Sequence, residues 1–425
     1  MMLDIRQQTV AELLMQGGFG LEMEGLRVNG EGYLAHTAHP FGDHASIERD
    51  FCENQVEMVT TVCTGPKAVQ RELKQLRKTV LSTLKNMPGG REYLWPFSNP
   101  PYVKNEEDIP IAYYSGEMAA KTAYREYLAN RYGRYKMLFS GIHFNYSFSE
   151  ELMRILAARS GKETGTFKNE FYLELAEKAL AYGWIMVALT AASPLYDSSY
   201  IEKGQTGITM FSGIATLRCS ELGYWNYFTP ILDYGNLKAY TASIQGYIDQ
   251  GLLAAASELY YPVRLKPEGL NTLERLASRG VDHLEIRMLD LNPLDPCGIA
   301  LEDIRFLQLF LVWLAGQPRL SLTAEQQVQA IQNYKNAAHF DLKEIKCKLL
   351  CGRMCTLYDG LLDVLSRMEE YFSGMPGEYA VEETLAYQRE KVENREKRYA
   401  WQIRERFSED YVGLGMALAK EYAGE

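Results

Sequence analysis

At 425 residues the chain has room for one large domain or two to three ordinary ones. Hydrophobic residues at 47% against 24% charged fit a globular protein. A net charge of −10 and a pI of about 5.4 exclude a surface built broadly for nucleic acid or anionic membrane, but leave room for a local basic pocket.

The N-terminal MMLDIRQQTVAELLMQGG reads as a short amphipathic helix stopped by Gly17-Gly18, without the apolar core and cleavage site of a signal peptide. In FGLEMEGLRV, apolar Leu21 and Met23 alternate with Glu22 and Glu24; in DFCENQVEMVT, Val56 and Met58 alternate with Glu53, Gln55 and Glu57. Pro66–Lys85 is the clear helix of the first third. The Pro-rich stretch Pro88–Gly116 predicts an irregular loop packed on a rigid body. Helical patterns cover Gly116–Arg131, Ser149–Ala158 and Phe167–Ala192. Between the first two, GIHFNYSF alternates Ile142, Phe144, Tyr146 and Phe148 with His143, Asn145 and Ser147. The polar run Ser193–Gly213 is a candidate lid. In VDHLEIRMLD, Leu284, Ile286 and Met288 alternate with His283, Glu285 and Arg287.

From about Gly298 the chain reads as almost all helix, and the charged segment Ala380–Arg406 as a solvated outer helix. The apolar stretches Ala179–Leu195 and Phe306–Ala315 suit buried helices: Gly183 and Pro194 interrupt the first, and the second is too short for a bilayer. No repeat or long Gly/Ser linker appears, so a single domain over 1–425 is expected, with a C-terminal helical part over about 299–425.

Seven cysteines, an odd number without a secretion signal, read as reduced thiols of a cytoplasmic protein. Cys347, Cys351 and Cys355 recur every four residues, one stripe if Asp341–Leu365 is helical. Buried packing is the expected role, with a soft-metal or redox cluster as the alternative.

Period-two alternation in four segments predicts four two-faced strands. An antiparallel sheet with one wet side explains them. So does a metal–phosphate face, because these polar positions concentrate carboxylates, an imidazole and a guanidinium. Neighbouring strands would crowd at least four carboxylates, which repel unless cations lie among them. Oxygen-rich clusters with an occasional His suit Mg²⁺ or Mn²⁺ rather than structural zinc, and Arg suits phosphate. The pattern alone leaves both readings open.

Seven blocks carry a resemblance: FGLEMEGLRV with LAHTAHP, RDFCENQVEMVT, NRYGRYKMLFSGIHFNYSF, TLRCSELGY, YPVRLKP and VDHLEIRMLDLNPLDPCG. In this order they resemble the glutamate–cysteine ligase family. LWPFSNPP and IPIAYYSG are similar to the ligase portion of bifunctional glutathione-synthesising enzymes, and LEDIRFLQLFLVWLAGQP extends the similarity. The resemblance implies an α+β fold: a glutamine-synthetase-like curved antiparallel sheet, with the active site on its concave face, wrapped by helices. It implies an ATP-dependent ligase that makes γ-glutamylcysteine from glutamate and cysteine through γ-glutamyl phosphate, the first step of glutathione biosynthesis.

By position, the resemblance implies Glu22, Glu24, Asp50, Glu57, His143 and Glu285 as residues holding Mg²⁺ or Mn²⁺. Arg287 would face the transferred phosphoryl group, and Arg264 and Lys266 the phosphates. Phe51, Tyr124, Arg218, Tyr224 and Tyr260 would line the cysteine pocket, with Asn145 near the glutamate. Taken singly, Tyr124 reads as an ordinary core or surface tyrosine, Arg218 as a salt-bridge arginine and His143 as a satisfied core histidine. Cys52 and Cys219 fall near the pocket without a role. The implied partners are ATP, glutamate and cysteine, with neither nucleic acid nor membrane. A ligase taking a different amine is the alternative, and a silent sensor of glutamate or nucleotide is the reading of another class.

Three positions depart from the family's pattern. Met23 stands where a basic residue is usual, implying altered charge beside the metals; Gly25 replaces a small polar residue and Leu265 a proline. The chain also ends without the ATP-grasp part of the bifunctional relatives, which implies the first step alone.

Overall fold

The computed structural model describes residues 8–202 and 207–425. In chain order the first half runs α1 (Gln8–Leu14), β1 (Gly17–Val28), β2 (Ile47–Arg49), β3 (Gln55–Val59), α2 (Pro66–Leu84), β4 (Tyr93–Leu94), α3 (Ala119–Tyr132), β5 (Gly141–Phe148), α4 (Glu150–Ser160), α5 (Thr164–Tyr182) and α6 (Trp184–Thr190). It continues with β6 (Tyr196–Asp197), β7 (Thr209–Met210), α7 (Leu237–Asp249), β8 (Val263–Lys266), α8 (Leu273–Arg279), β9 (His283–Asp290) and α9 (Leu301–Gly316). The last part is α10 (Ala324–Ala337), β10 (Lys346–Lys348), β11 (Met354–Thr356), α11 (Leu357–Tyr371), α12 (Val381–Glu393), α13 (Tyr399–Phe407) and α14 (Tyr411–Tyr422).

The two-faced strands join one antiparallel sheet in the order β2-β3-β1-β5-β9-β8, with β4 beside the end of β1. Leu21, Met23, Val56, Met58, Ile142, Phe144, Leu284 and Ile286 share one core with apolar residues of α2, α5, α6 and α9. On α2 the buried Val69, Leu73, Val80 and Leu84 recur at helical spacing, which seats that helix on the sheet. Each such side chain gains about 1.5–3 kcal/mol on burial. A one-residue slip of β1 would instead push Glu22 and Glu24 into this core, so the register is fixed. Sealing the apolar face leaves the acidic and basic residues on the other face.

Strict alternation fails once in this sheet. Ile142 faces Leu289 but Phe144 faces Ile286, so β9 carries an extra residue between them. The bulge lets Ile286 and Leu289, three apart, both reach the core and re-aims Arg287.

Several helical expectations are corrected. The run Phe167–Ala192 is two helices, α5 and α6, meeting at Gly183. A side chain there would strike the hydroxyl of Tyr334, which donates to Ala179 O. The run Gly116–Arg131 opens with a 3-10 turn over Gly116–Met118 before α3. Ala380–Arg406 is not one solvated helix but α12 and α13. Lys391 is 2% exposed, its Nζ donating to Leu189 O and Asp303 Oδ1. The Cys347–Cys355 stretch is the β10–β11 hairpin rather than a helix, because Gly352, at φ 83°, turns the chain back. The first seven residues of the expected N-terminal helix lie outside the described residues, as do 203–206 of the candidate lid. The beginning of that segment is buried, with Ser193 Oγ donating to Asp290 Oδ2 at 2.8 Å. Among the described residues no helix is long and apolar enough to cross a membrane.

Candidate active site

Strand register builds the site. Glu24 stands directly opposite Glu57 across β1 and β3, and Glu57 opposite Glu48 on β2. On the other side of β1, Glu22 stands opposite His143 of β5, and on β9 Glu285 stands between Asn145 and Arg264. Directly opposed side chains lie about 5 Å apart at Cβ, and like charges there are destabilising. The row Glu24, Glu57, Glu48 is therefore an electrostatic cost in the bare protein.

The ionisation of Glu24 and Glu57 records burial and crowding by carboxylates, while that of Glu285 and Glu22 records their cationic neighbours and His143. Burial and the neighbouring Asp50 push Glu24 up to about 8. Burial, with Asp50, Glu22, Glu24 and Glu48, raises Glu57 well above the carboxylate range. Burial also opposes the charge on Glu285, but Arg287, Lys266 and His143 together bring it well below that range. Lys266 Nζ lies 3.1 Å from Glu285 Oε1, and Arg287 Nη1 3.2 Å from Oε2. For Glu22 burial is the largest influence and acts upward, but the hydrogen bond with His143 together with the nearby His143 and Lys266 makes the net shift downward.

His143 Nδ1 lies 3.0 Å from Glu22 Oε2, an arrangement that places the proton on Nδ1. Burial and Arg287 keep the imidazole neutral. Its buried Nε2 lacks a hydrogen-bond partner and faces Glu24 Oε1 at 3.7 Å. Glu22, Glu57 and His143 each offer a ligand atom within 4.8 Å of the others. An unpartnered imidazole nitrogen among carboxylates of raised pKa is a donor set that fits a hard divalent cation.

A cleft of about 280 Å³ opens over this face. It gathers Glu22, Glu24, Asp50, Glu57, His143, Glu285, Arg264, Lys266 and Arg287, and at one end Phe51, Tyr124, Arg218, Tyr224 and Tyr260. The rings of Tyr224 and Tyr260 are 4.2 Å apart at their centroids. Arg218 Nη1 donates to Arg287 O at 2.8 Å, and its guanidinium lies flat against Gly141, where any side chain would collide with it. The Gly141 N–H donates to Glu24 Oε2 at 2.9 Å. Arg264 donates to the carbonyls of Ser257 and Leu259, and burial beside Arg287 lowers it to about 10. Asn145 does not line the cleft; it braces Glu22, donating Nδ2 to Oε1 at 2.8 Å.

A sequence model of the family described as glutamate-cysteine ligase matches residues 2–252 and 229–337. A glutamate–cysteine ligase of Clostridium acetobutylicum is 34% identical over 77% of this chain and 78% of its own length. This chain belongs to the glutamate–cysteine ligase family. The glutathione biosynthesis bifunctional protein of Listeria monocytogenes is 36% identical over 97% of the chain but only 55% of its own length. The chain thus spans about half of that bifunctional relative. Its fold matches the crystal structure of a Francisella tularensis glutamate–cysteine ligase in complex with AMP, with a TM-score of 0.85 at 25% identity over 96% of this chain and 88% of that one. It also matches a bifunctional glutathione synthetase of Pasteurella multocida, with a TM-score of 0.83 at 26% identity over 100% of this chain and 54% of that one. The α+β class and the antiparallel sheet expected from the sequence hold.

Within this ligase family member, one departure reads differently in three dimensions. Met23 points away from the acidic face into the core, where Arg77 Nη1 of α2 approaches its sulfur at 3.7 Å. It therefore leaves the charge beside the carboxylates unchanged. Glu53 also leaves the polar row: it precedes β3 and accepts from the backbones of His39 and Tyr113 and from Arg49. His283, at the start of β9, pairs with Asp282.

The sequence reading missed Arg125, Leu128, Met137, Phe139, Ser257 and Asn271 on the cleft wall. Nothing in an isolated Met or Leu distinguishes a pocket wall from core. It also missed Asp290, whose buried carboxylate accepts from Ala192 N, Ser193 Oγ and Thr216 Oγ1 and so fixes the segment that carries Arg218. Cys52 and Cys219 are buried, and burial pushes Cys52 well up and Cys219 up to about 12, so neither supplies a thiolate.

Proposed function

We propose that this chain joins the γ-carboxylate of glutamate to the α-amino group of cysteine at the expense of ATP. The single observation that carries the proposal is the convergence on one sheet face of five carboxylates, His143 and three cations, beside an aromatic end that holds Arg218. A carboxylate alone is a poor acyl donor because its leaving group would be oxide. Transfer of the γ-phosphoryl of ATP to the glutamate carboxylate releases ADP and creates γ-glutamyl phosphate. The amine then attacks the carbonyl carbon, loses a proton and expels inorganic phosphate.

In-line phosphoryl transfer demands positioning and charge neutralisation rather than a protein nucleophile. Arg287, half-buried in the cleft and kept charged by Glu285, Glu22 and Glu24, would stabilise the equatorial oxygens of the transferring group. Arg264 and Lys266 hold phosphate oxygens from the neighbouring strand. Mg²⁺ or Mn²⁺ held by Glu22, Glu57 and His143, with Glu24, Asp50 and Glu285 around them, would supply charge neutralisation of the phosphates. Tyr124, Tyr224, Tyr260 and Phe51 enclose the acceptor side chain, and Arg218 meets its carboxylate.

The test measures ADP and phosphate release from ATP and glutamate with each of the twenty amino acids as acceptor. Cysteine is expected to give the highest kcat/KM, with 2-aminobutyrate a poorer but usable substitute. A preferred acceptor other than cysteine would leave the ligase chemistry standing and remove the acceptor. No acceptor-dependent turnover would remove both.

A further inference from the structure

The β10–β11 hairpin holds two thiols that the proposed ligase chemistry does not use. Cys347 and Cys355 are direct cross-strand partners, and their sulfurs are 3.5 Å apart. Leu357 N donates to Ile345 O on one side of the pair and Leu349 N to Arg353 O on the other. Bonding alternates along an antiparallel ladder, so 347 and 355 form a hydrogen-bonded pair, with a Cα separation of about 5.5 Å. That lies within the span a disulfide bridges. The ladder and α10 hold the pair in place, Asn333 Nδ2 donating to Lys348 O and Asn336 Nδ2 to Lys346 O.

A soft-metal site does not fit. Among the described residues the three-member group of possible metal ligands is Glu22, Glu57 and His143, so Cys351 does not complete a third position beside the two thiols. Access differs along the hairpin: Cys347 is buried, Cys355 half-buried and Cys351 exposed on the turn. A cleft of about 620 Å³ runs beside the turn, lined by Cys351 and by Gly360, against which the Cys355 sulfur packs.

We propose that Cys347 and Cys355 are a dithiol modification site, closed into a cross-strand disulfide by a small-molecule disulfide. The more accessible Cys355 thiolate attacks one sulfur of the oxidant, forming a mixed disulfide and expelling one thiolate, which takes up a proton. Cys347 then gives up its proton and attacks the Cys355 sulfur. The Cys347–Cys355 bond forms and the second small thiol leaves. The pair loses two electrons and two protons, and the oxidant is reduced to two thiols. Exposed Cys351 is not part of the bridge.

The full-length protein is incubated with bis(2-hydroxyethyl) disulfide, denatured, and its free thiols are counted and mapped. Trypsin cuts after Lys346, Lys348 and Arg353, which puts Cys347, Cys351 and Cys355 on three different peptides. Two thiols are expected to be lost together at Cys347 and Cys355, with the Cys347 peptide bonded to the Cys355 peptide, while exposed Cys351 takes at most a mixed disulfide read on its own peptide. Cys351→Ser should still lose two thiols to the same bridge, and the half-buried Cys355→Ser should form no bridge while keeping a normal melting curve. A count that stays at seven, a bridge that contains Cys351, or a mixed disulfide on Cys355 that never closes would each overturn the proposal.

Discussion

Replacing Gly141 with Ala tests whether Arg218 is held for the acceptor. The backbone there is not in a glycine-only conformation, so the change acts through contact alone. The new methyl would stand 2.6 Å from Nε and Nη2 of Arg218. Ordinary van der Waals contact needs the guanidinium to retreat by about 1 Å. Arg218 is 6% exposed and anchored on Arg287 O, so it has no free rotamer to relax into and must swing off the acceptor. Losing one charge-assisted hydrogen bond costs about 1.5–3 kcal/mol. That corresponds to a rise in the cysteine KM of roughly 10- to 150-fold. The KM values for glutamate and ATP should stay within about twofold, since Glu22, Glu57 and His143 keep their backbone partners. Coupled ADP-release kinetics with each substrate varied in turn gives the three values. Combining the change with Arg218→Ala should add little to Arg218→Ala alone, because both remove one contact. An unchanged cysteine KM in a folded Gly141→Ala protein would refute the reasoning, as would an equal rise for glutamate.

Two other perturbations probe the electrostatics. Glu57→Gln should abolish metal-dependent turnover and raise the melting temperature in chelator by on the order of 1–3 °C, because it replaces a carboxyl group whose ionisation burial and the neighbouring Asp50, Glu24 and Glu48 oppose; calorimetry with and without Mg²⁺ decides, and a lower melting temperature in chelator would count against that strain. His39 is held down at about 4 by burial and by Arg49. Its folded pKa is depressed, so its contribution to stability is present above about 6.5 and is lost as pH falls through about 4. His39→Phe should remove up to ~3 kcal/mol of that acid sensitivity in urea titrations across the window, and parallel wild-type and variant curves would exclude His39 as its source.

The sequence by itself determined the two-faced strands, because side-chain direction in a strand follows from local alternation. Leu21, Val56, Phe144 and Ile286 mark the core face and Glu22, Glu57, His143 and Glu285 the wet one, whichever strands are neighbours. It also carried the family's blocks, and with them the residues proposed for the acceptor pocket, which periodicity could not have singled out. Tertiary structure alone decided which carboxylates repel, since the opposition of Glu24 to Glu57 and of Glu22 to His143 depends on pairing between segments far apart in the chain. The bulge that aims Arg287, the Asp290 anchor behind Arg218 and the backing of Met23 by Arg77 arise in the same way. The three cysteines spaced by four show the limit most plainly. Their spacing matches a helical stripe, yet the turn at Gly352 makes a hairpin and brings Cys347 to Cys355. Local pattern fixes the direction in which a side chain points, whereas the partner it meets is set by long-range packing, which leaves no periodic trace in the chain.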